Sequence, residues 1–213
     1  MKKKWRILLG VLLILALGLV ALPGVSGYVS ASHGAQAIQA LTDQVQEMDT
    51  QTRKLQRNLA QWYNLNLLSA QPETGYADAY DTILDLAGHA MGYIEIPAMD
   101  LCLPIYHGVG EDALANGVGH LPQSAFPIGG TGNHTVLVSG DGLGGLEELN
   151  EGDVFHIFIL GDRVTYSVEK TESAPAETVS LDPEPGRDLC TLILAEDTGA
   201  SLWIRGVRSG EDE

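Results

Sequence analysis

Between residues 35 and 68, apolar side chains recur at Ile38, Leu41, Val45, Met48, Leu55, Leu59, Trp62 and Leu65, mostly three or four positions apart. That is the period of one helix face. The opposite face carries Gln, Asp and Glu with Arg53, Lys54 and Arg57. The spacing predicts an amphipathic helix over Ala35–Leu68 that packs on a protein surface rather than sinking into lipid. A short coiled coil is a second option, although Thr52 interrupts the stripe. The breaker cluster Gln71-Pro72-Glu73-Thr74-Gly75 follows, and Tyr76–Leu86 predicts a second short helix. From Met91 the texture changes to short β-rich runs separated by Gly, Pro, Asn and Asp. Predicted strands cover Gly92–Ile96, Leu101–Tyr106, Thr135–Ser139, Val154–Leu160, Arg163–Thr171, Leu189–Ala195 and Leu202–Val207. This spacing predicts a mainly β domain, an antiparallel barrel or sandwich.

The first residues add a membrane signal to that picture. Met1-Lys2-Lys3-Lys4-Trp5-Arg6 precede an uncharged apolar run from Ile7 to Leu22, closed by Pro23-Gly24. As helix the run reaches about 24 Å at ~1.5 Å per residue, slightly short of a hydrocarbon core of about 30 Å. The cations on its N-terminal side predict a single pass with the remainder of the chain extracytoplasmic. Val29-Ser30-Ala31 resembles a cleavage site, so a removed signal peptide is the alternative. Both export the domain.

Charge narrows the partners. The 213-residue chain has a formal net charge of −16, and no Lys or Arg stands between Arg57 and Arg163. A nucleic acid needs neutralising cations, so that class is excluded. The acidity serves solubility at a charged cell surface, or else a cationic partner or metal ion. Two cysteines, Cys102 and Cys190, are compatible with one disulfide or with two packed free thiols.

A set of motifs then points to a family. Met91-Gly92-Tyr93-Ile94-Glu95-Ile96-Pro97 is followed by Leu103-Pro104-Ile105-Tyr106-His107-Gly108 and by Gly117-Val118-Gly119-His120-Leu121-Pro122. Phe126-Pro127-Ile128-Gly129-Gly130, Asn133-His134-Thr135-Val136, Glu151-Gly152-Asp153-Val154-Phe155 and Ile204-Arg205-Gly206 complete the series. In order and spacing these blocks resemble class C sortases, the membrane-bound enzymes that polymerise pilins on Gram-positive cells. The resemblance implies a sortase-like antiparallel β-barrel over residues 91–208. Before it come a cytoplasmic tail and transmembrane anchor over 1–27 and a helical connecting region, the lid equivalent, over 28–90. Residues 209–213 form an acidic tail.

The resemblance also implies a chemistry. A cysteine thiolate attacks the Thr-Gly carbonyl of an LPXTG-type sorting signal, a histidine acts as acid or base, and an arginine stabilises the oxyanion. This sequence departs from the pattern at all three places. Where the family has Thr-Gly-His-Arg-Gly-Leu, the chain reads Val138-Ser139-Gly140-Asp141-Gly142-Leu143, with Gly140 at the histidine position. Matching Ser139-Gly140 to Thr-Gly instead moves the histidine position to Asp141. The cysteine that ends the Thr-Leu-Val-Thr-Cys strand is replaced by Ala195 in Thr191-Leu192-Ile193-Leu194-Ala195, and Ser201 takes the arginine's place after a shortened loop. The family's Asp-Pro-aromatic lid has no counterpart between Leu68 and His89.

Three readings follow. The first is a catalytically inactive, membrane-anchored accessory or binding module in cell-surface protein or pilus assembly, with a pilin, an LPXTG-type signal or an active sortase as partner and no cofactor. The second is a hydrolase or transpeptidase of altered mechanism, in which Asp141, Glu196 and Asp197 line the cleft as acid and base or hold a metal. Asp141-Gly142 and Asp197-Thr198-Gly199 are equally ordinary turn sequences. The third is a structural envelope protein that works through Ala35–Leu68. Gly140-Asp141-Gly142-Leu143-Gly144-Gly145 is a weak match to a nucleotide-binding loop, lacking a nearby cation and a βαβ setting. His107 and His120 are expected to be structural.

Overall fold

The computed structural model describes residues 34–140, 146–175, 180, 182–195 and 201–210. Helix α1 covers residues 34–47 and helix α2 covers Thr50–Leu67. The single helix expected over Ala35–Leu68 is therefore two. The division falls at Asp49, whose carboxylate accepts from the N–H groups of Gln51 at 2.8 Å and Thr52 at 3.0 Å. It also accepts from the Thr52 hydroxyl at 2.6 Å. An aspartate N-cap satisfies donors that a continuous helix would bond internally, so it starts a new helix. The Thr52 interruption of the stripe is part of that cap.

Both helices pack on the domain through Leu41, Val45, Ala60 and Tyr63, which are buried in the main core. Asn64 of α2 is also buried, and its side chain both donates to the Phe126 carbonyl at 3.0 Å and accepts from the Phe126 N–H at 2.8 Å. The second short helix expected at Tyr76–Leu86 is a 3₁₀ segment, Ala77–Thr82, with a further 3₁₀ turn at Ala87–His89. Leu84 between them is fully buried at φ 60°, and the Gln56 side chain accepts from its N–H at 2.9 Å. That anchorage holds the segment against the barrel instead of letting it coil as an α-helix.

Eight strands close into a barrel in the order β1-β2-β3-β4-β7-β8-β6-β5. Their ranges are β1 Ala90–Ile96, β2 Leu101–His107, β3 Val118–His120, β4 His134–Ser139, β5 Val154–Ile159, β6 Asp162–Ala174, β7 Leu189–Ala195 and β8 Ser201–Arg208. A one-turn-and-a-half helix, α3, covers Glu111–Asn116 between β2 and β3. The barrel corrects the antiparallel expectation, because β2–β3 and β4–β7 are parallel. Parallel neighbours need a crossover, supplied by α3 in the first case and by β5 and β6 in the second. Strand β3 and α3 were not expected from the sequence; three residues, two of them flanking a glycine, carry too little pattern to register.

The interior holds Ile94, Ile96, Ile105, Val118, Leu137, Phe155, Ile157, Tyr166, Leu192 and Ile204, all essentially inaccessible. Each such aliphatic or aromatic side chain contributes about 1.5–3 kcal/mol when buried. Gly206 is required by this packing, since a Cβ there would meet the Phe155 ring at 2.7 Å. Both cysteines are free, Cys102 exposed on β2 and Cys190 buried on β7. Among the described residues no helix is long and apolar enough to cross a membrane. The Ile7–Leu22 run lies outside them.

Candidate functional site

The register of β4, β7 and β8 decides which residues share the end of the barrel where chemistry was expected. Strand β4 runs parallel to β7 with Val136 opposite Thr191, Val138 opposite Ile193 and Ser139 opposite Leu194. Gly140 follows the last paired residue of β4, one position beyond the Ser139–Leu194 pair. Ala195 pairs with Ser201 across the antiparallel β7–β8 ladder. Positions 140, 195 and 201 therefore stand at the adjoining ends of three neighbouring strands, a row at one rim of the barrel. Residues 55 and 61 positions apart in sequence are thereby brought together. Asp141, Glu196 and Asp197 lie outside the described residues.

Space at the row is limited on one side by α3. A Cβ at Gly140 would stand 3.2 Å from the Leu114 carbonyl oxygen and 3.3 Å from Leu114 Cβ. A larger side chain there requires α3 to give way or to be bypassed by its rotamer. Two residues further along the same strands, Val138, Ile193 and Trp203 pair in an apolar row. Val136, Ile193 and Trp203 form a second buried cluster with Leu121, Val138 and Ala174 packed against it. The Trp203 indole donates to the Ala174 carbonyl at 3.1 Å, which satisfies its buried N–H. Beyond it, Arg205 donates to Glu184 at 3.2 Å and to the Ser180 carbonyl at 3.0 Å. Arg187 reaches Glu184 and Glu169, and its hydrogen bond is the main reason that the Glu184 carboxyl lies below its ordinary range.

Side chains elsewhere that could replace the expected trio are committed to other work. Cys190 is five residues from position 195, about 16 Å along a strand. It is buried inside the barrel, where desolvation pushes its thiol well above the ordinary value. The Cys102 thiol is also raised, chiefly by burial, and β2 is separated from β7 by β3 and β4. His134, at the far end of β4, shares a hydrogen bond with the Thr191 hydroxyl at 2.8 Å. His156 does so with the Thr165 hydroxyl at 3.0 Å.

His120 is fully buried. Its Nε2 donates to the Ala125 carbonyl at 2.9 Å, and its Nδ1 lies 2.9 Å from the Tyr80 hydroxyl. Burial lowers its pKa to about 4. Tyr80 accepts from the Gly108 N–H, its hydroxyl oxygen, with a single proton, stands 2.9 Å from both His120 Nδ1 and the His120 carbonyl, and its ring stacks on His120 and Phe126. Its phenol is held far above the ordinary range by burial. His107 is bonded to the Ile83 carbonyl at 2.7 Å. The two histidines thus sit in structural networks.

A feature that sequence reasoning missed is an open cavity of about 360 Å³ whose walls include His89, Tyr106, His107, Asp112 and Asn116. It lies between the turn before β1, the end of β2, and α3. Only the cation-free composition of this stretch signals it in the sequence. Among the described residues no group of three or more His, Cys, Asp or Glu side chains is placed to hold a metal ion.

Comparison with known proteins agrees with this architecture. Residues 94–196 match the family model described as the sortase domain. Sortase D of Bacillus subtilis is 31% identical over 97 residues, 44% of this chain and 48% of that protein. The match thus spans about half the length of that curated relative. Among solved structures, sortase C1 of Streptococcus agalactiae is 31% identical with a TM-score of 0.74, covering 83% of this chain and 100% of that one. Sortase C of Clostridium perfringens, solved with the C-terminal cell wall sorting motif, is 28% identical with a TM-score of 0.72 and covers 83% and 100%.

Proposed function

We propose, from the premise that this chain belongs to the sortase family, that it is a catalytically silent sortase-fold module that holds a sorting-signal peptide without cleaving it. Its place is the outer face of the cell membrane, with the Ile7–Leu22 segment as its anchor, and its setting is cell-surface protein or pilus assembly. One observation carries the reading. The positions where the resemblance implies histidine, cysteine and arginine are occupied by Gly140, Ala195 and Ser201, Ala195 pairing with Ser201 and Gly140 following the last paired residue of the neighbouring strand.

Acyl transfer by this family's route needs a thiolate, a proton carrier and a fixed positive donor at the oxyanion. Glycine and alanine side chains supply none of these, and serine is not a cation. Among the described residues, neither Cys190, a buried thiol inside the barrel, nor His120, sealed between Tyr80 and Ala125, is placed to substitute. What persists beside the row is the apolar cluster of Val136, Ile193 and Trp203. A sorting motif occupies the sortase C of Clostridium perfringens, and a peptide of that class is the ligand proposed here.

The test uses the full chain in detergent micelles with a fluorescent LPXTG-type peptide and an amine acceptor. Saturable binding by polarisation, with no new product by mass spectrometry beside an active sortase control, is the expected result. Thr-Gly cleavage that survives repurification would overturn the silent reading, and Asp141→Asn and Glu196→Gln would then show whether carboxylates carry it. Neither binding nor cleavage would overturn the peptide-holding role and leave the α1–α2 region as the working part.

A further inference from the structure

Helix α3 has two faces with different neighbours. Successive helical residues turn by about 100°, so Asp112 and Asn116 share one face while Leu114, which covers Gly140, lies on the other. Asp112 and Asn116 line the open cavity of about 360 Å³, whose wall also includes Tyr106 and His107 of β2. Gly117, the residue after α3, makes room for the tyrosine. A Cβ there would stand 3.1 Å from Tyr106 Cε2 and 2.3 Å from the Pro104 carbonyl oxygen. The ring is half-buried, and burial holds its phenol above the ordinary value.

Donors and acceptors are mixed in this wall. The Asp112 carboxylate only accepts, and among the described residues it has no partner. Asn116 uses one N–H on the Asp112 carbonyl at 2.7 Å and keeps a second N–H and its oxygen. The Tyr106 hydroxyl both donates and accepts, and it too has no partner among the described residues. His107 Nε2 lies 2.7 Å from the Ile83 carbonyl, so that nitrogen carries the proton and Nδ1 is an acceptor. The mixture selects among ligands. No lining residue is Lys or Arg, so an anion finds no fixed counter-charge. A simple cation would satisfy Asp112 but leave the Asn116 N–H pointing at positive charge. Neighbouring hydroxyls on one carbon ring suit both kinds of group, because each hydroxyl donates and accepts. A carboxylate takes the protons of two of them, and an amide N–H and a phenol serve their oxygens.

We propose that this cavity is a binding site for a pyranose saccharide. Asp112 accepts from two adjacent ring hydroxyls, Asn116 and the Tyr106 hydroxyl bond their neighbours, and the Tyr106 ring gives apolar area for the sugar's C–H groups. A volume of about 360 Å³ lies at the small end of ligand cavities and suits one sugar ring with its bridging waters. The row at Gly140 is reached from the other face of α3. The saccharide site therefore holds carbohydrate independently of any peptide at the row and of whether catalysis has been lost.

The experiment follows the His107 ring and the Asn116 amide by NMR in the full chain, in polyoxyethylene-ether micelles, which carry neither sugar nor charge. The probes are the methyl β-glycosides of glucose, galactose and N-acetylglucosamine. Tetrahydropyran-2-methanol serves as the ring without adjacent hydroxyls, and methylammonium as the cationic control. Saturable shifts at millimolar concentration with at least one glycoside are expected, with both controls weaker by about tenfold or more. Asp112→Ala should weaken the best glycoside by about tenfold and Tyr106→Phe by about fivefold. Asp112 is exposed and Tyr106→Phe keeps the ring beside Gly117, so neither change threatens the fold. A β-linked tetrasaccharide of the best-bound sugar then identifies the source: tighter binding than the methyl glycoside assigns the site to a glycan chain, and equal binding to a free or terminal sugar. Absence of saturation with every glycoside, an equal or stronger response to either control, or indifference to both substitutions would each overturn the site.

Discussion

Two parts of the barrel only a strand apart treat polar chemistry in opposite ways. Around His120 on β3, every polar atom is engaged. Tyr80 bonds His120 and Gly108, His120 bonds Ala125, and Ser124 bonds the Leu121 carbonyl and the Val136 N–H. Aromatic rings of Tyr63, Tyr80, His120 and Phe126 close over them. At the end of β4, β7 and β8 stand Gly140, Ala195 and Ser201, which offer one hydroxyl between them. The first region resists change because removal of any member leaves a buried group unbonded. The second can change with little structural consequence, because small side chains at strand ends hold few buried hydrogen bonds whose loss would cost stability.

The contrast is broken most directly by Tyr80→Ala, which deletes a buried ring and the hydrogen bonds of its hydroxyl. A loss of about 3–5 kcal/mol is expected from urea unfolding. A loss below about 1 kcal/mol would show the network to be decorative. Next in size is acid sensitivity. The folded-state pKa of His120, about 4, lies below the ordinary 6.5. The unfolded chain therefore binds the extra proton between those values. The contribution is complete above about pH 6.5 and is lost as pH falls towards 4, on the order of 3 kcal/mol at ~1.4 kcal/mol per pH unit. Unfolding titrations of wild type and His120→Gln should differ across that window and run parallel above it.

Smaller effects belong to the vacated row. Gly140→Ala brings a Cβ against Leu114 and should cost about 1 kcal/mol, the crowding being partly offset by the stiffer unfolded chain. A larger loss would mean that α3 is held rigidly over the row. Ser201→Ala should change stability by less than about 0.5 kcal/mol and leave peptide binding unaltered. Loss of binding in that variant would make the hydroxyl part of the groove.

Much of this was legible in one dimension. Seven strands were placed within a few residues of their observed bounds, because alternating runs between turn residues carry their own signal. The helical face through Leu41, Val45 and Leu59 was legible for the same reason. Gly140, Ala195 and Ser201 could be named from their flanking motifs, and the bonds of His120 to Tyr80 and Ala125 needed the fold to be seen. The helix division at Asp49 was not read, since a cap in the middle of a continuing stripe looks like any other polar position. Strand β3, helix α3 and the parallel pairings escaped because a strand's partner and direction leave no trace in its own alternation.

What the amino-acid sequence determined by itself was local: periodicity, turn residues, the absence of cations between Arg57 and Arg163, and the identities Gly140, Ala195 and Ser201 within their motifs. Tertiary structure alone decided that these three stand at the adjoining ends of β4, β7 and β8, that Leu114 stands over Gly140, and that His120 is bonded between Tyr80 and Ala125. The physical reason is register. A hydrogen-bonded ladder joins residues more than fifty positions apart, and its alignment is set by how the whole barrel closes around its core.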